Sequence, residues 1–568
     1  MVYLIAYSPV TFSNIKVTIT GVGGPLHTEL ISNLSLARQE NQDHPPSDAY
    51  VKSLYLRALT EIQNVLKSNG YYHAVISDAL LQAGDNWIAN FKIEAGNPII
   101  IRNISIVVTG AGADDEKMDE VTGDFPLSLN DKLNHKLYEA GKKRIQNIAR
   151  ERGYFDAVFS TNIIHINEAD KSATIDLQFA TGVRYLIGEI IIPDTVVNVD
   201  VLNRLVPFKI GDPYDANLLI ILYQRLRDSN YFNEVLVNPE LNNISDYRVP
   251  VSVTLTPRPK DNIRIGLGYG TDSGPRMLAA WDSHYINSKG HRLETDLQIS
   301  PTASALSGVY IMPHTRISGA ELGLSSSLSR EDTDTHTSNT FKLGAQQSQK
   351  RGSWNESISL TYQFESFEIA DVDDTSNLLI PGVTYWKSVS DTPIYTNNGY
   401  RLNLNVRGSV RGVLSNLSFL QAIASAKYIH SIGADGRLIG RGELGATHVP
   451  EFNALPASIR FFAGGDNSIR GFDLQSLGPR DPEGNVIGGK YITVGSIEYE
   501  HRIIDKWSVA MFSDFGNAYD DFSDDFVYSA GAGIRWRTPV GLVRIDLAFG
   551  ISEDPVPFRL HINIGPDL

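Results

Sequence analysis

The residue whose surroundings most clearly predict ionic interactions is an arginine in a glycine-rich segment late in the chain. Residues 461–473 read FFAGGDNSIRGFD, and turn-forming residues dominate the AGGDNS portion. The fixed cation stands between an apolar residue and a glycine that permits close approach of another backbone. A solvent-exposed loop gains little from that arrangement, so we predict that the loop folds back into the protein. The loop motif consists of Gly464, Gly465, Ile469, Arg470, Gly471 and Phe472.

Two acids on later segments are candidate partners for Arg470. A buried guanidinium needs carboxylates, which it binds through two parallel hydrogen bonds. Period-two alternation in TVGSIEYEHR and AMFSDFGNA points one acid of each segment, Glu498 and Asp514, to a single face of its strand. Phe512 and Gly516 share the face of Asp514. We predict that the two acids anchor the loop, with ordinary inward-facing charges as the alternative interpretation.

Other kinds of site find no support in the sequence. The chain has no cysteine, its 13 histidines fall in no metal-like spacing, and no serine stands in a nucleophile elbow. The acidic run DDFSDDF lacks the alternating ligands and the glycine of a calcium loop, so a solvated turn is the simpler interpretation. A formal charge of −15 argues against nucleic acid as a partner. We therefore predict no enzyme, no catalytic residue, no cofactor and no metal site.

A threefold repeat occupies the first half of the chain. The hexamers GYYHAV, GYFDAV and NYFNEV begin at residues 70, 153 and 230, and each follows an amphipathic helix pattern and precedes two strand patterns. Helix starts are predicted after Ser47, Asn130 and Asp215. The repeated unit is an α+β module of the order β-α-α-β-β. We place the three copies at 14–93, 94–182 and 183–258, after a signal-peptide remnant or first-strand lead-in at 1–13.

From residue 260 to residue 568 the helical period gives way to alternation of apolar and polar residues, as in RLNLNVRGSV and PFRLHINIG. A soluble sandwich explains alternation equally well, but the length of the region favours a barrel. With membrane strands of about 9 to 11 residues plus their connections, the region makes about 16 strands. We predict a 16-stranded transmembrane antiparallel β-barrel at 260–568, with the polar segment 329–340 as an extracellular loop.

The two ends of the predicted barrel carry residues that weaken strand pairing. Glycine has no side chain to pack against a neighbouring strand, and proline cannot donate a hydrogen bond to the ladder. The residues concerned are Gly266, Gly268 and Gly270 in the first strand, and Gly565 and Pro566 in the last. We predict a weak seam between the first and last strands, which would offer a free edge to an incoming strand.

The arginine loop resembles the loop motif of a known superfamily. FFAGGDNSIRGF is similar to the arginine-glycine-aromatic loop of the BamA-like outer-membrane assembly superfamily, whose members join periplasmic POTRA modules to a 16-stranded barrel. FSDFG resembles the second signature of that superfamily. Within it, GLGYGTDSGPR, VPFKIGDPY and the three repeats look like the TamA family, the outer-membrane subunits of the translocation and assembly module. The resemblance implies that Arg470 is the loop arginine, held by Glu498 and Asp514.

The same resemblance implies a function and a location. Members of this superfamily insert barrel proteins into the bacterial outer membrane, with their POTRA-like modules in the periplasm. The implied partners are unfolded outer-membrane client proteins of the autotransporter type, outer-membrane lipids and a TamB-like protein anchored in the inner membrane. Two alternatives remain at this point. One is a two-partner-secretion pore, although such relatives usually carry two modules and a plug helix, and the other is a passive porin or receptor.

Overall fold

The computed structural model describes residues 14–40, 46–84, 86–314, 319–392, 395–538 and 541–565. The predicted lead-in 1–13 and Pro566 of the predicted seam lie outside these residues. Within the ranges just given, no helix combines the length and the apolar character needed to cross a bilayer.

The described residues before 260 form three small mixed sheets with their helices. The first module comprises β1 (Asn14–Thr20), α1 (Gly24–Asn33), α2 (Asp48–Ser68), β2 (Val75–Ala83) and β3 (Asn86–Glu94). The second comprises β4 (Ile100–Thr109), α3 (Glu116–Gly123), α4 (His135–Glu151), β5 (Val158–Asn167) and β6 (Ser172–Ala180). The third comprises β7 (Leu186–Ile191), α5 (Val199–Asn203), α6 (Ala216–Asp228), β8 (Phe232–Pro239) and β9 (Arg248–Pro257). In each sheet the last strand lies in the middle and pairs in parallel with the first, so the three modules share one topology.

The repeated hexamers begin where helices end. Gly70, Gly153 and Asn230 follow α2, α4 and α6 and have positive φ angles of 84°, 86° and 64°. This left-handed conformation stops a helix and turns the chain toward the next strand, which explains the glycine or asparagine at each position. The aromatic residues that come next pack inside the modules, as Tyr154 and Phe232 do.

The helix start predicted after Asn130 is wrong. Asn130 lies in a turn with φ of 71°, and its Oδ1 accepts a hydrogen bond from Nη1 of Arg102 at 2.9 Å. An N-cap residue needs an extended backbone, which Asn130 does not have. Asn134 has that backbone and starts α4 instead, because its Oδ1 accepts a hydrogen bond from the N–H of Leu137 at 3.1 Å.

Asp115 is the centre of an ionic cluster in the second module. Arg152 donates through Nε to Oδ2 of Asp115 at 3.1 Å and through Nη1 to Asp215 at 2.8 Å. The hydroxyl of Tyr154 donates to Asp115 at 3.0 Å. Burial opposes ionisation of Asp115, but hydrogen bonds from Arg152, the Lys117 N–H and Tyr154 outweigh it and hold the pKa of Asp115 below its usual value. The charged form of the Asp115 carboxylate therefore stabilises the folded module.

Within the described part of the chain, sixteen antiparallel strands close into a barrel in sequence order, which confirms the predicted fold class. The strands are β10 (Asp261–Gly270), β11 (Gly274–Ser283), β12 (Arg292–Ile299), β13 (Ala303–Pro313), β14 (Glu321–Asp332), β15 (His336–Arg351), β16 (Trp354–Ile369), β17 (Val372–Ser390), β18 (Gly399–Ser409), β19 (Phe419–Ile432), β20 (Gly436–His448), β21 (Tyr491–Ile504), β22 (Trp507–Tyr519), β23 (Val527–Thr538), β24 (Gly541–Phe549) and β25 (Phe558–Gly565). Alternation decides which side chains face the lumen, since Glu498 is 8% exposed and its neighbour Ile497 is 56% exposed.

The extracellular loop predicted at 329–340 is largely strand. The ladder between β14 and β15 continues to the pair Asp332 and Thr337, so the connection is a tight turn at 333–335. The N–H of Thr333 donates to the carbonyl of His336 at 3.0 Å, which closes the turn. Polar residues fit these strand ends because the strands can extend past the apolar thickness of a membrane. The long connection at this edge of the barrel is 449–490, between β20 and β21.

Candidate functional site

The connection between β20 and β21 folds back into the barrel. Ile469 is fully buried and Phe472 is 5% exposed. Both belong to an apolar cluster with inward-facing residues of β21 and β22, namely Ile492, Val494 and Ala518. This packing presses the tip of the loop against the inner wall of the barrel, as the sequence predicts.

The structure brings Arg470 together with both predicted acids. Nε and Nη2 of Arg470 donate to the two oxygens of Asp514 at 2.8 and 2.9 Å, and the backbone N–H of Arg470 donates to Oδ2 of Asp514 at 3.1 Å. Nη1 donates to Oε2 of Glu498 at 2.8 Å. The guanidinium is thus bidentate on one carboxylate and bonded to a second, on two neighbouring strands.

A second arginine and a third acid complete the ionic network, and our reading of the sequence missed both. Nη1 of Arg470 donates to Oδ2 of Asp546 at 3.2 Å. Arg535 donates to Oε1 of Glu498 at 2.7 Å and also to Oδ1 of Asp546. The two residues stand at inward positions of GIRWRT and VRIDLAF, so the alternation argument could have found them in β23 and β24. Alternation in the sequence predicts the face of the strand on which each side chain lies. It does not predict which strands contact the loop.

Arg441 and Ser496 satisfy the remaining polar atoms around Asp514. Nη2 of Arg441 donates to the carbonyl of Ser468 at 2.6 Å and lies 3.6 Å from Oδ2 of Asp514. The Ser496 hydroxyl donates to Oδ1 of Asp514 and accepts from Nη2 of Arg470 at 3.2 Å. Three guanidinium groups therefore face three carboxylates. A buried network of this kind holds one arrangement strongly, because loss of any member leaves an uncompensated charge.

The second signature supports the loop through packing. The guanidinium carbon of Arg470 lies 3.4 Å from the centroid of the Phe512 ring, a cation–π contact on the face that also carries Asp514. Gly516 has φ of 142°, and a Cβ there would lie 2.0 Å from the carbonyl oxygen of Thr493 on β21. Phe512 thus packs against the loop arginine, and Gly516 allows β22 to lie close to β21.

Gly471 is required at the tip of the loop. Its φ is 94°, and a Cβ would lie 3.1 Å from backbone atoms of Phe549 and Gly550. The backbone N–H of Gly471 donates to Nε2 of His561 at 2.9 Å. His561 belongs to β25, so the tip of the loop is bonded directly to the last strand of the barrel.

The base of the loop joins the last strand to the first hairpin. Nδ1 of His561 is hydrogen-bonded to Asp466, whose backbone N–H donates in turn to Asp272 in the turn between β10 and β11. Gly464 and Gly465, with φ of 101° and 99°, directly precede Asp466. Among the described residues, Asp272, Asp466 and His561 are the one group close enough to hold a metal ion, yet both ring nitrogens of His561 already form hydrogen bonds. These contacts connect the loop to β25 and to the turn between β10 and β11.

The predicted seam lies beside this connection. Over the described residues, the ladder between β10 and β25 contains one pair, Gly270 opposite Asn563, whereas β10 pairs with β11 along its whole length. Thr271 adds a hydrogen bond from its N–H to the carbonyl of Ile562 at 3.1 Å, and its Oγ1 accepts from the Ile562 N–H at 2.6 Å. Nη2 of Arg276 on β11 also donates to the carbonyl of Ile564 on β25 at 3.2 Å. Leu267, on the outer face of β10, is 81% exposed.

The predicted seam residues fall on both sides of this gap. Gly266 and Gly268 lie in the part of β10 that has no ladder partner on β25 among the described residues. Gly565 pairs with Leu542 of β24 at the end of the last strand. The docked loop and the open seam therefore meet at β25, where one strand contacts both.

Family comparisons agree with this architecture. Residues 261–567 match the Omp85 superfamily domain, residues 16–95 match the POTRA domain described as TamA domain 1, and residues 100–181 match a POTRA domain described as surface antigen variable number repeat. The solved structure of BamA from Haemophilus ducreyi lacking POTRA domains 1–3 is similar in fold, with a TM-score of 0.65 at 17% identity over 82% of this chain and 99% of that chain.

Two curated relatives are outer membrane protein assembly factors named BamA. The one from Nitratidesulfovibrio vulgaris is 23% identical over 365 residues, 60% of this chain and 46% of the relative. The one from Neorickettsia risticii is 22% identical over 439 residues, 72% of this chain and 58% of the relative. The chain therefore spans about half the length of the curated relatives that it matches. The family domain nevertheless covers more than half of the chain and the whole barrel, so the chain belongs to the Omp85 superfamily, with its barrel in the bacterial outer membrane and its POTRA modules in the periplasm.

Proposed function

We propose that this chain is an assembly factor that helps insert client β-barrel proteins into the outer membrane through the seam between β10 and β25. The observation that carries the proposal is the seam, where one ladder pair, Gly270 and Asn563, joins the two strands over the described residues. In a bilayer, each unpaired backbone group costs several kcal/mol, so an incoming strand gains strongly from an edge that can accept it. The glycines of β10 lower the cost of opening that edge.

The docked loop keeps the barrel in register while the seam is weak. Arg470 is bonded to β21, β22 and β24, and Gly471 is bonded to His561 of β25. The last strands thus stay attached to the loop when the contact with β10 is lost. Opening would then separate β25 from β10 and break the contact between Asp466 and Asp272, without unfolding the rest of the wall.

A disulfide across the seam tests this proposal, and the absence of native cysteine makes it specific. Gly270→Cys with Asn563→Cys joins the one ladder pair of the seam. We expect oxidation to abolish insertion of a client barrel and a reductant to restore it. The matched control is Leu267→Cys with Met277→Cys, which joins an existing pair of β10 and β11 on the outer face and should leave insertion unchanged. Equal insertion by the oxidised and reduced seam variants would show that clients do not pass through the seam.

We further propose that the chain acts as a TamA-like subunit, with autotransporter-type clients and a TamB-like inner-membrane-anchored partner. The support is the match of residues 16–95 to TamA domain 1, together with the three modules before the barrel. Affinity purification of the tagged full chain from envelope extracts tests this. Recovery of a large β-rich protein anchored in the inner membrane is expected, whereas recovery of one secreted substrate instead would favour a secretion pore.

A further inference from the structure

A second group of charged side chains lies inside the barrel, close to its periplasmic end. Arg437 of β20 stands directly opposite Glu500 of β21, and the guanidinium of Arg437 donates to the Glu500 carboxylate. Both side chains are buried. Tyr395, in the connection between β17 and β18, joins this pair, because its hydroxyl donates to Oε1 of Glu500 at 2.8 Å. A residue from a periplasmic connection is thus bonded to the inner wall of the barrel.

Two cations lie against the ring of Tyr395. The guanidinium carbon of Arg437 is 3.6 Å from the ring centroid, and that of Arg537 on β23 is 4.6 Å from it. β20 and β23 are separated by two strands, so one ring connects distant parts of the wall. Cation–π contacts of this kind strengthen when water is excluded from them. We name these four residues the Tyr395 group: Tyr395, Arg437, Glu500 and Arg537.

The Tyr395 group adjoins the ionic network of the loop along two strands. The chain enters the barrel from the periplasmic modules at β10, so β21 and β23 both run toward the periplasm. On β21, Glu500 follows Glu498 at the next inward position. On β23, Arg537 follows Arg535 in the same way. One such step is about 7 Å, so the Tyr395 group forms the next layer of side chains on the periplasmic side of the network.

We propose that Tyr395 is a positioning residue for the docked loop, because it shields the ionic network of the loop from water on the periplasmic side. A barrel of about 16 strands is wide enough to leave an aqueous channel. The network is nonetheless buried, since Asp514 and Arg535 are fully buried and Arg470 is 5% exposed. The loop covers the network from the extracellular side, and the Tyr395 group covers it from the other. Ion pairs are stronger where water is excluded, so this cover strengthens the contacts of Arg470.

Hydrogen–deuterium exchange of the purified full chain in detergent micelles tests the proposal. The backbone N–H of Arg470 donates to Asp514. The backbone N–H of Gly471 donates to His561. Exchange in the segment 466–474 therefore reports how firmly the loop is docked. The measurement requires no client protein, so its outcome is independent of whether clients pass through the seam.

Tyr395→Leu removes the ring and the hydroxyl but keeps an apolar side chain of moderate size. We expect it to speed exchange in the segment 466–474 at least about tenfold, because two cation–π contacts are lost and water reaches the network. Tyr395→Phe keeps the ring and loses one hydrogen bond, so it should speed exchange less than Tyr395→Leu. Tyr395→Phe carries the same comparison with the wild type if Tyr395→Leu does not fold.

Tyr400→Leu is the matched control. Tyr400 pairs with the exposed Val389 on the outer face of the barrel, and its ring lies 5.4 Å from Nζ of Lys387. Its replacement therefore also removes a tyrosine and a cation–π contact near the periplasmic end of the barrel, but away from the lumen. Exchange in the segment 466–474 should equal that of the wild type.

Salt dependence separates loss of shielding from a general loss of stability. Salt screens ion pairs that water reaches more strongly than buried ones. Raising the NaCl concentration from about 0.1 M to about 1 M should therefore speed exchange further in Tyr395→Leu and leave the wild type and Tyr400→Leu unchanged. Equal exchange in Tyr395→Leu and the wild type, equal acceleration by Tyr400→Leu, or an acceleration that does not depend on salt would overturn the proposal.

Discussion

Removal of the Arg470 side chain is the most informative single change in the barrel. Arg470→Ala eliminates the hydrogen bonds to Asp514, Glu498 and Asp546. Breaking a buried ion pair by removing one partner costs about 3 to 5 kcal/mol. The remaining arginines reduce that cost, because Arg535 still holds two of the carboxylates and Arg441 lies 3.6 Å from the third. We therefore expect the free energy of unfolding to fall by about 3 kcal/mol.

A double-mutant cycle isolates the contribution of the bidentate pair. Asp514→Asn keeps the shape of the side chain but removes its charge, and we expect it to cost about 3 kcal/mol as well. The double variant should cost about 4 kcal/mol, less than the sum, which corresponds to a coupling of about 2 kcal/mol. The assay is urea unfolding of the full chain in detergent micelles, followed by the gel mobility of the folded barrel.

The matched control for this cycle is Arg480→Ala in the same loop. Arg480 is exposed and donates to the backbone carbonyls of Ser476 and Gly484. Its loss should change the unfolding free energy by less than about 0.5 kcal/mol. A coupling near zero between Arg470 and Asp514, with normal unfolding of Arg470→Ala, would refute the account of the loop as held by ion pairs.

Two further predictions concern the loop tip and the second module. Gly471→Ala should lower the unfolding free energy by about 1 to 3 kcal/mol in the same urea assay, because φ is 94° and a Cβ would lie 3.1 Å from the backbone of Phe549 and Gly550, which is tighter than ordinary contact. Unchanged unfolding would contradict the docked geometry. Asp115→Asn should lower the melting temperature of the modules near neutral pH. The difference in melting temperature between wild type and variant should shrink as the pH falls below about 3.8, the ordinary pKa of an aspartate side chain. The pKa of Asp115 is depressed in the folded state, so its stabilisation is present above the unfolded value and is lost as the pH falls through the folded value. Melting is measured by circular dichroism, and a difference in melting temperature that is constant with pH would refute the ionic role of Asp115. The control is Asp119→Asn on the same helix.

The sequence predicts the fold well because its signals are local and repeated. The left-handed positions Gly70, Gly153 and Asn230 each end a helix, and alternation identifies the barrel strands. Errors arose where a competing local contact decides the structure. Asn130 lies in a turn with φ of 71°, stabilised by Arg102, and so cannot cap a helix. Residues 329–340 pair as strand because a three-residue turn suffices.

Only part of the ionic site could be predicted from the sequence, and the reason differs from that for the fold. Arg470, Glu498 and Asp514 come from motifs whose residues are close in sequence or distinctive in pattern. Asp546 and Arg535 join them only because barrel closure and strand stagger bring β23 and β24 to the loop, and a single sequence does not contain that register. The roles of all these residues in client insertion stay predictions.

The most direct test of the central claim is to capture a client strand at the seam. Single cysteines at Leu267 on the open edge of β10 and at Leu324 on β14, within the continuous wall, would be combined with a cysteine in the terminal strand of a client stalled during insertion. Our account predicts a disulfide between the client and position 267, and none at position 324. Equal capture at both positions, or capture at neither while the client still inserts, would contradict it.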